Sequence, residues 1–165
     1  MFDSAEECAD VFAKRQAGYT YSRTNNPTVA AFQQRVAIME GAEAGMATAT
    51  GMSAIQAALL TFLSAGDHLI SSRSLFGTTA GLIGTLSRFG IEVTLVSQTD
   101  ANEWRKAIRP NTKMFFLETP SNPLGEVADI EALAQIAHEI NALLVVDNCF
   151  CSPAVQQPLR LGADL

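Results

Sequence analysis

Residues 114–147 read MFFLETPSNPLGEVADIEALAQIAHEINALLVVD, and this stretch decides the fold. It opens on an apolar run, Met114 to Leu117, and passes through a turn that holds two prolines. It continues as an amphipathic segment over about Asp129 to Ile140 and closes on a second apolar run, Leu143 to Val146. Short apolar runs fit buried strands, and apolar residues at helical spacing between them fit the crossover that joins two parallel strands. The same alternation recurs toward the amino terminus. Ile91 to Val96 and His68 to Ser71 read as strands, and Ala47 to Thr50 reads as a weak first strand. Asn102 to Ile108, Gly77 to Phe89 and Ser53 to Leu63 read as helices. The pattern predicts an α/β domain over residues 46–165, with a mainly parallel sheet flanked by helices.

Residues 1–45 read differently. A helix is expected from Ser4 toward Gly18, then an extended arm from Tyr19 to Thr28, then a second helix from Val29 to Glu40 closed by Gly41. Asn26 stands before Pro27 and is pushed away from helical geometry.

Composition narrows the function classes. Eleven Lys plus Arg against seventeen Asp plus Glu give a net charge of −6, and neither sign forms a long run, so a nucleic-acid surface is not expected. The charged fraction of 17% leaves little polar side chain to cover the exterior, so part of it is expected to meet other protein. No apolar run approaches the roughly 18 residues of a membrane span. The first residues are acidic where a signal peptide would be basic, and the reading is cytoplasmic. Cys8, Cys149 and Cys151 are odd in number and have no His or Cys cluster at zinc spacing. They read as reduced thiols, and no metal is expected.

In parallel sheets, ligands sit outside the carboxyl ends of the strands. The polar signals fall there: Gly51 after the first expected strand, Ser72 and Arg73 after the second, Glu118 after the Met114 run, and Asp147 after the last. Thr50-Gly51-Met52 places free helix-start amides, and a residue without a side chain, where an anion can approach. Asp147 closes a fully apolar run. Its carboxylate is either a turn cap or the partner of a cation, and a protonated pyridine nitrogen is such a cation. Glu118-Thr119-Pro120-Ser121-Asn122-Pro123 reads as a rigid loop able to hold the Asn122 amide against a phenolate oxygen. Phe76 beside Gly77 is either core or a stacking face for a planar ring. Tyr21 and Arg23 lie in the arm with no local core to join, and suit phosphate oxygens or solvent.

Taken in order, Tyr21-Ser22-Arg23 with Asn26-Pro27-Thr28, then Glu118 to Pro123, then Val145-Val146-Asp147-Asn148, resemble the pyridoxal-phosphate enzymes of cysteine and methionine metabolism, over nearly the whole chain. The resemblance implies pyridoxal 5'-phosphate as cofactor. It also implies a partial large domain of the aspartate-aminotransferase-like, fold type I architecture, with the carboxyl-terminal domain absent. It assigns Tyr21 and Arg23 to the cofactor phosphate of a neighbouring subunit in a homo-oligomer. Gly51 and Met52 fall to the phosphate cradle, Phe76 to ring stacking, Asn122 to the phenolate oxygen, and Asp147 to the pyridine nitrogen. Glu118 receives a supporting role of unspecified kind.

Phe76 stands where the family usually has tyrosine, and Cys149 where it usually has threonine. Both look most like the O-succinylhomoserine sulfhydrylase branch, which exchanges the acyl group of a homoserine ester for sulfide to give homocysteine for methionine synthesis. Cystathionine γ-synthase, γ-lyase and O-acetylhomoserine sulfhydrylase are the alternatives within the family. Outside it stand a nicotinamide-binding oxidoreductase using Ser72 and Arg73, which lacks its glycine fingerprint, and a noncatalytic module. The family places its Schiff-base lysine in a Ser-x-x-Lys stretch soon after a Gly-Ala-Asp-Leu segment, and the sequence stops at Gly162-Ala163-Asp164-Leu165. The chain is therefore expected to be a fragment, inactive alone, whose lysine lies beyond Leu165.

Overall fold

A computed structural model describes residues 2–165 and divides them into two compact units, the first ending at Ala47 and the second running from Thr48 to Leu165. In the first unit, α1 spans Ala5–Phe12 and starts on Ser4, whose Oγ accepts the Glu7 N–H at 3.0 Å. The helix stops six residues short of Gly18. Lys14 already has φ 58, and the Arg15 guanidinium folds back onto Asp10. Beyond Phe12 the sequence offers no further apolar face, so nothing sustains another turn. α2 spans Pro27–Glu40. Asn26 caps it from an extended backbone, φ −148 and ψ 131, with Oδ1 accepting the N–H groups of Thr28 and Val29. Gly41 closes it at φ 69, a left-handed conformation that glycine adopts without strain. Phe32 and Ile38 of α2 are exposed.

The second unit contains α3 (Gly51–Phe62), β1 (His68–Ser72), α4 (Gly77–Thr85, extended by a tighter turn over Leu86–Phe89), β2 (Glu92–Val96) and α5 (Ala101–Ala107). β3 (Thr112–Glu118), α6 (Ile130–His138), β4 (Leu143–Asp147) and the one-turn α7 (Ser152–Val155) follow. The expected strand over Ala47 to Thr50 does not form. Thr50 serves instead as the cap of α3, its hydroxyl accepting the Ser53 N–H, and Thr48 donates to the Thr50 carbonyl. Among the described residues, no strand pairs with this segment, and an Ala/Thr run without a ladder has no reason to extend. α7 and the turn over Pro158–Leu161 were not legible, being single turns without periodicity.

The sheet is fully parallel in the order β2-β1-β3-β4. From β1 the chain steps outward to β2, then returns past β1 to place β3 and β4 on its other side, so the direction of winding reverses between β1 and β3. Alternate side chains serve two cores. Leu69, Met114, Phe116 and Val145 pack with Leu59 of α3 and Ile83 of α4. Ile70, Phe115, Leu117 and Leu144 pack with Trp104 of α5 and Leu133 and Ile136 of α6.

At the amino ends of the strands, the buried His68 ring joins three strands, with Nδ1 2.8 Å from Thr112 Oγ1 and Nε2 2.9 Å from Thr94 Oγ1. The outer edge of β2 meets Arg73, whose guanidinium donates to the Leu95 carbonyl at 3.3 Å and to Glu103 at 3.0 Å. The outer edge of β4 is met by the chain end: Leu165 accepts from Val146 N–H, and Asp164 donates to Leu144. No helix among the described residues is long and apolar enough to cross a membrane.

Burial holds the His68 pKa below its ordinary value; the Arg109 guanidinium adds to this and Glu92 opposes it. The unfolded chain gains a proton on this ring near about pH 6.5, where the folded one keeps it neutral, so stability is full above that pH and falls below it. Urea titrations at about pH 7.5 and about pH 5.5 are expected to show a lower midpoint at the acid value. His68→Gln is expected to flatten that slope.

Candidate functional site

The β3–β4 register sets Glu118 directly opposite Asp147, on neighbouring strands that run about 4.8 Å apart. Both side chains share the parity of Phe116 and Val145, and so leave the sheet on the face covered by α3 and α4. Those two helices start at the same end. Phe76 caps α4 after the outlet of β1, and the residue is 44% exposed. Gly51 is the first residue of α3, and the N–H groups of Gly51 and Met52 precede any intrahelical partner. The space a Cβ would take at Gly51 is open, with no heavy atom within 4 Å. Met52 is half-buried, and its sulfur receives the Thr79 hydroxyl at 3.8 Å.

Glu118 is 4% exposed, and its Oε2 accepts the Phe76 N–H at 3.0 Å. Burial pushes its pKa up. The Phe76 N–H pulls it back, the Asp147 charge raises it again, and a backbone hydrogen bond from Asn122 opposes that. Asp147 is half-buried, and its Oδ1 accepts the Cys149 N–H at 3.0 Å, leaving acceptor capacity on the carboxylate. The Cys149 thiol is pushed up by burial first, then by Asp147 and Glu118. Asn122 is half-buried in the loop after β3. That loop is braced by Ser121 N–H to the Glu126 carbonyl, Glu126 N–H to Ser121 Oγ, and Ala128 N–H to Thr119 Oγ1.

Sequence reading missed Gln156, which ties the loop after β3 to the loop after β4. Its Nε2 donates to the Thr119 carbonyl and to Asn148 Oδ1, both at 2.8 Å, while Asn148 Nδ2 donates back to the Gln156 carbonyl. No motif marks a glutamine nine residues past a strand end. The hydrogen bond between Glu118 and the Phe76 backbone was also unread, because it joins positions 42 apart through an N–H that every residue but proline carries.

Gly51, Met52, Phe76, Glu118 and Asp147 thus stand on one face and at one end of the sheet, and Asn122 follows β3 at the same end. Tyr21 and Arg23 belong to the first unit, where both are exposed and the Arg23 guanidinium carbon lies 5.1 Å from the Tyr21 ring centroid. Ser72 and Arg73 do not form an anion site. Ser72 is buried and donates to Gln98 Oε1, and Arg73 is engaged by Glu103 and the Leu95 carbonyl. Lys106 and Lys113 lie at the other end, leading into β3 and on its second residue. A cavity of about 580 Å³ runs between α4 and the β2 edge, lined by Leu75, Ile83, Val93 and Leu95, and includes neither Asp147 nor Phe76. All three cysteines are free.

This donor set fits a planar, phosphorylated pyridine. Open space at a helix start suits a phosphate, an exposed phenylalanine suits stacking, and a carboxylate with spare acceptor capacity suits a pyridine N–H.

Known proteins agree with this chemistry. The family model described as Cys/Met metabolism PLP-dependent enzyme matches residues 1–165. The chain is 53% identical over 166 residues to O-succinylhomoserine sulfhydrylase of Pseudomonas aeruginosa, covering 100% of this chain and 41% of that protein. It is 45% identical over 167 residues to L-methionine gamma-lyase of Fusobacterium nucleatum, covering 100% of this chain and 42% of that one. Among solved structures it superposes on a putative O-acetylhomoserine (thiol)-lyase of Campylobacter jejuni, which carries a pyridoxyl-lysine monophosphate. The TM-score is 0.89 at 37% identity, covering 99% of this chain and 41% of that one. The chain therefore spans 41–42% of the length of these two curated relatives.

The open space at Gly51 separates packing from binding. Gly51→Ala is expected to leave thermal stability unchanged, or to raise it by up to about 1 kcal/mol, because the methyl meets nothing and alanine favours a helix. Affinity for pyridoxal phosphate, read by fluorescence titration of the protein expressed from its full coding sequence, is expected to fall by about tenfold, the equivalent of one charged hydrogen bond.

Proposed function

We propose, since the chain belongs to the Cys/Met metabolism pyridoxal-phosphate-dependent enzyme family, that the protein carries out γ-replacement on an activated homoserine ester with sulfide. The Cγ–O bond to the acyl group breaks and a Cγ–S bond forms, giving homocysteine and, for the succinyl ester, succinate, with no change of oxidation state. Bound pyridoxal phosphate, the cofactor of this family, supplies an electron sink beside the substrate amine.

The residues of this chain divide the work of holding that group. Asp147 accepts a hydrogen bond from the pyridine nitrogen and keeps it protonated. Phe76 stacks on the ring, and the Asn122 amide donates to the phenolate oxygen. The amides of Gly51 and Met52 hold the phosphate at the start of α3. Tyr21 and Arg23 complete the phosphate site of a neighbouring subunit in a homo-oligomer. What supports that last role is their exposure in an arm that offers no core to join, together with the uncovered Phe32 and Ile38 of α2. Residues 1–45 then act as the subunit-bridging arm and 46–165 as part of the cofactor-binding domain.

The observation that carries the sulfhydrylase reading over the lyases is the match across the whole chain to an O-succinylhomoserine sulfhydrylase at 53% identity. Phe76 joins it, keeping the stacking face while offering no hydroxyl beside the ring. Steady-state turnover of the protein expressed from its full coding sequence tests the reading. kcat/KM is expected to be highest with O-succinylhomoserine and sulfide. Preferred use of cysteine as acceptor would move the protein to the cystathionine synthases, and preferred elimination from methionine to the lyases. Asp147→Ala is expected to cost about 1.5–3 kcal/mol of cofactor affinity, read as a roughly ten- to 150-fold rise in the dissociation constant.

A further inference from the structure

The winding of the sheet reverses between β1 and β3, and the chain leaving each strand there forms one lip of a crevice. On the β1 side the lip carries Phe76, and on the β3 side it carries Asn122. One side chain ties the first lip to the strand that carries the second. The Glu118 carboxylate accepts the Phe76 N–H at 3.0 Å and ends the strand whose outgoing loop carries Asn122. It also ends β3 opposite Asp147. A carboxylate 4% exposed, beside a second one at the adjacent strand end, is an expensive group to bury for packing alone. A leucine or methionine would fill the same volume at no electrostatic cost. What an apolar residue could not do is accept the Phe76 N–H from the neighbouring loop. Phe76 is 44% exposed, and its backbone N–H is held by Glu118.

We propose that Glu118 is the positioning residue of the site: its carboxylate draws the Phe76 backbone onto the end of β3, fixing the distance between the stacking ring and the Asp147 carboxylate. The inference rests on the cofactor reading of Phe76, Asn122 and Asp147, and goes beyond it by giving Glu118 the task of setting the gap they leave. Burial first, and the Asp147 charge after it, push the Glu118 pKa up, and the Phe76 N–H opposes them without cancelling them.

Two variants separate position from charge. Glu118→Gln keeps an acceptor oxygen at the same reach, and Glu118→Leu removes it at nearly the same volume. Each is made in the protein expressed from its full coding sequence and read by two measurements that do not need turnover. These are the dissociation constant for pyridoxal phosphate and the induced circular dichroism per bound cofactor, which reports the ring's fixed orientation. Glu118→Leu is expected to weaken binding by about tenfold and to halve the induced signal or more, and Glu118→Gln to stay within about twofold on both.

If Glu118→Leu does not fold, Phe76→Pro against Phe76→Ala carries the test. Both lack the ring, and the φ of −53 at residue 76 suits proline, so mainly the N–H donor separates them. The proline variant is then expected to bind about tenfold more weakly. Equal affinities in that pair, an unchanged signal in Glu118→Leu, or damage by Glu118→Gln equal to that by Glu118→Leu would each overturn the role. Failure of the unmutated protein to bind pyridoxal phosphate would instead overturn the cofactor reading beneath it.

Discussion

The parallel register of β1, β3 and β4 is the constraint on which the site depends. Each strand contributes only its last residue or the turn after it, so a slip of one residue in either pairing would send Glu118 or Asp147 to the opposite face of the sheet. The register is held from below. Met114, Phe116 and Val145 lock one face against α3 and α4, while Phe115, Leu117 and Leu144 lock the other. His68 bridges to Thr94 and Thr112 at the far ends of the strands. The apolar residues thus position the polar ones, and two carboxylates stand beside each other because the strands that end in them cannot shift.

Legibility in the sequence followed the physics of each element. β3 and β4 were readable because both faces are buried, which leaves uninterrupted runs such as Phe115-Phe116-Leu117 and Leu144-Val145-Val146. The start of α2 was readable from Asn26 and Pro27, since cap and first-turn chemistry is local. Ala47 to Thr50 failed as a strand because a strand is a pairing, and a four-residue window says nothing of whether a partner stands beside it. α1 was drawn too long because Ala13 and Ala17 continue its spacing without an apolar face large enough to hold another turn. At the site, residue types with distinctive chemistry were found by pattern. Gln156 and the Glu118–Phe76 bond were not, because both act through backbone groups.

The site is also a study in shared bracing. Thr119, Asn148 and Gln156 form a closed set of hydrogen bonds around the loops that carry Asn122 and Asp147, while Ser121 and Thr119 hold the outgoing chain to Ala128. Loops with few apolar contacts ordinarily move, and side chains that accept or donate twice restrain them without covering the groups that must meet a ligand. The half-exposed Asn122 and Asp147 fit that arrangement: their backbones are pinned and their functional atoms remain reachable.

Arg73 illustrates a different use of charge. It follows β1 where an anion ligand would have been natural, yet its guanidinium turns outward along β2 and occupies the Leu95 carbonyl that a further strand would need. The paired Glu92 and Arg109 stand on the same strand margin. A sheet margin with unsatisfied carbonyls is a template for uncontrolled aggregation, and long cationic side chains are among the devices that blunt it. An arginine that looks like a binding residue therefore stands as a cover on the sheet margin, holding the outward Leu95 carbonyl of β2 against pairing with another strand.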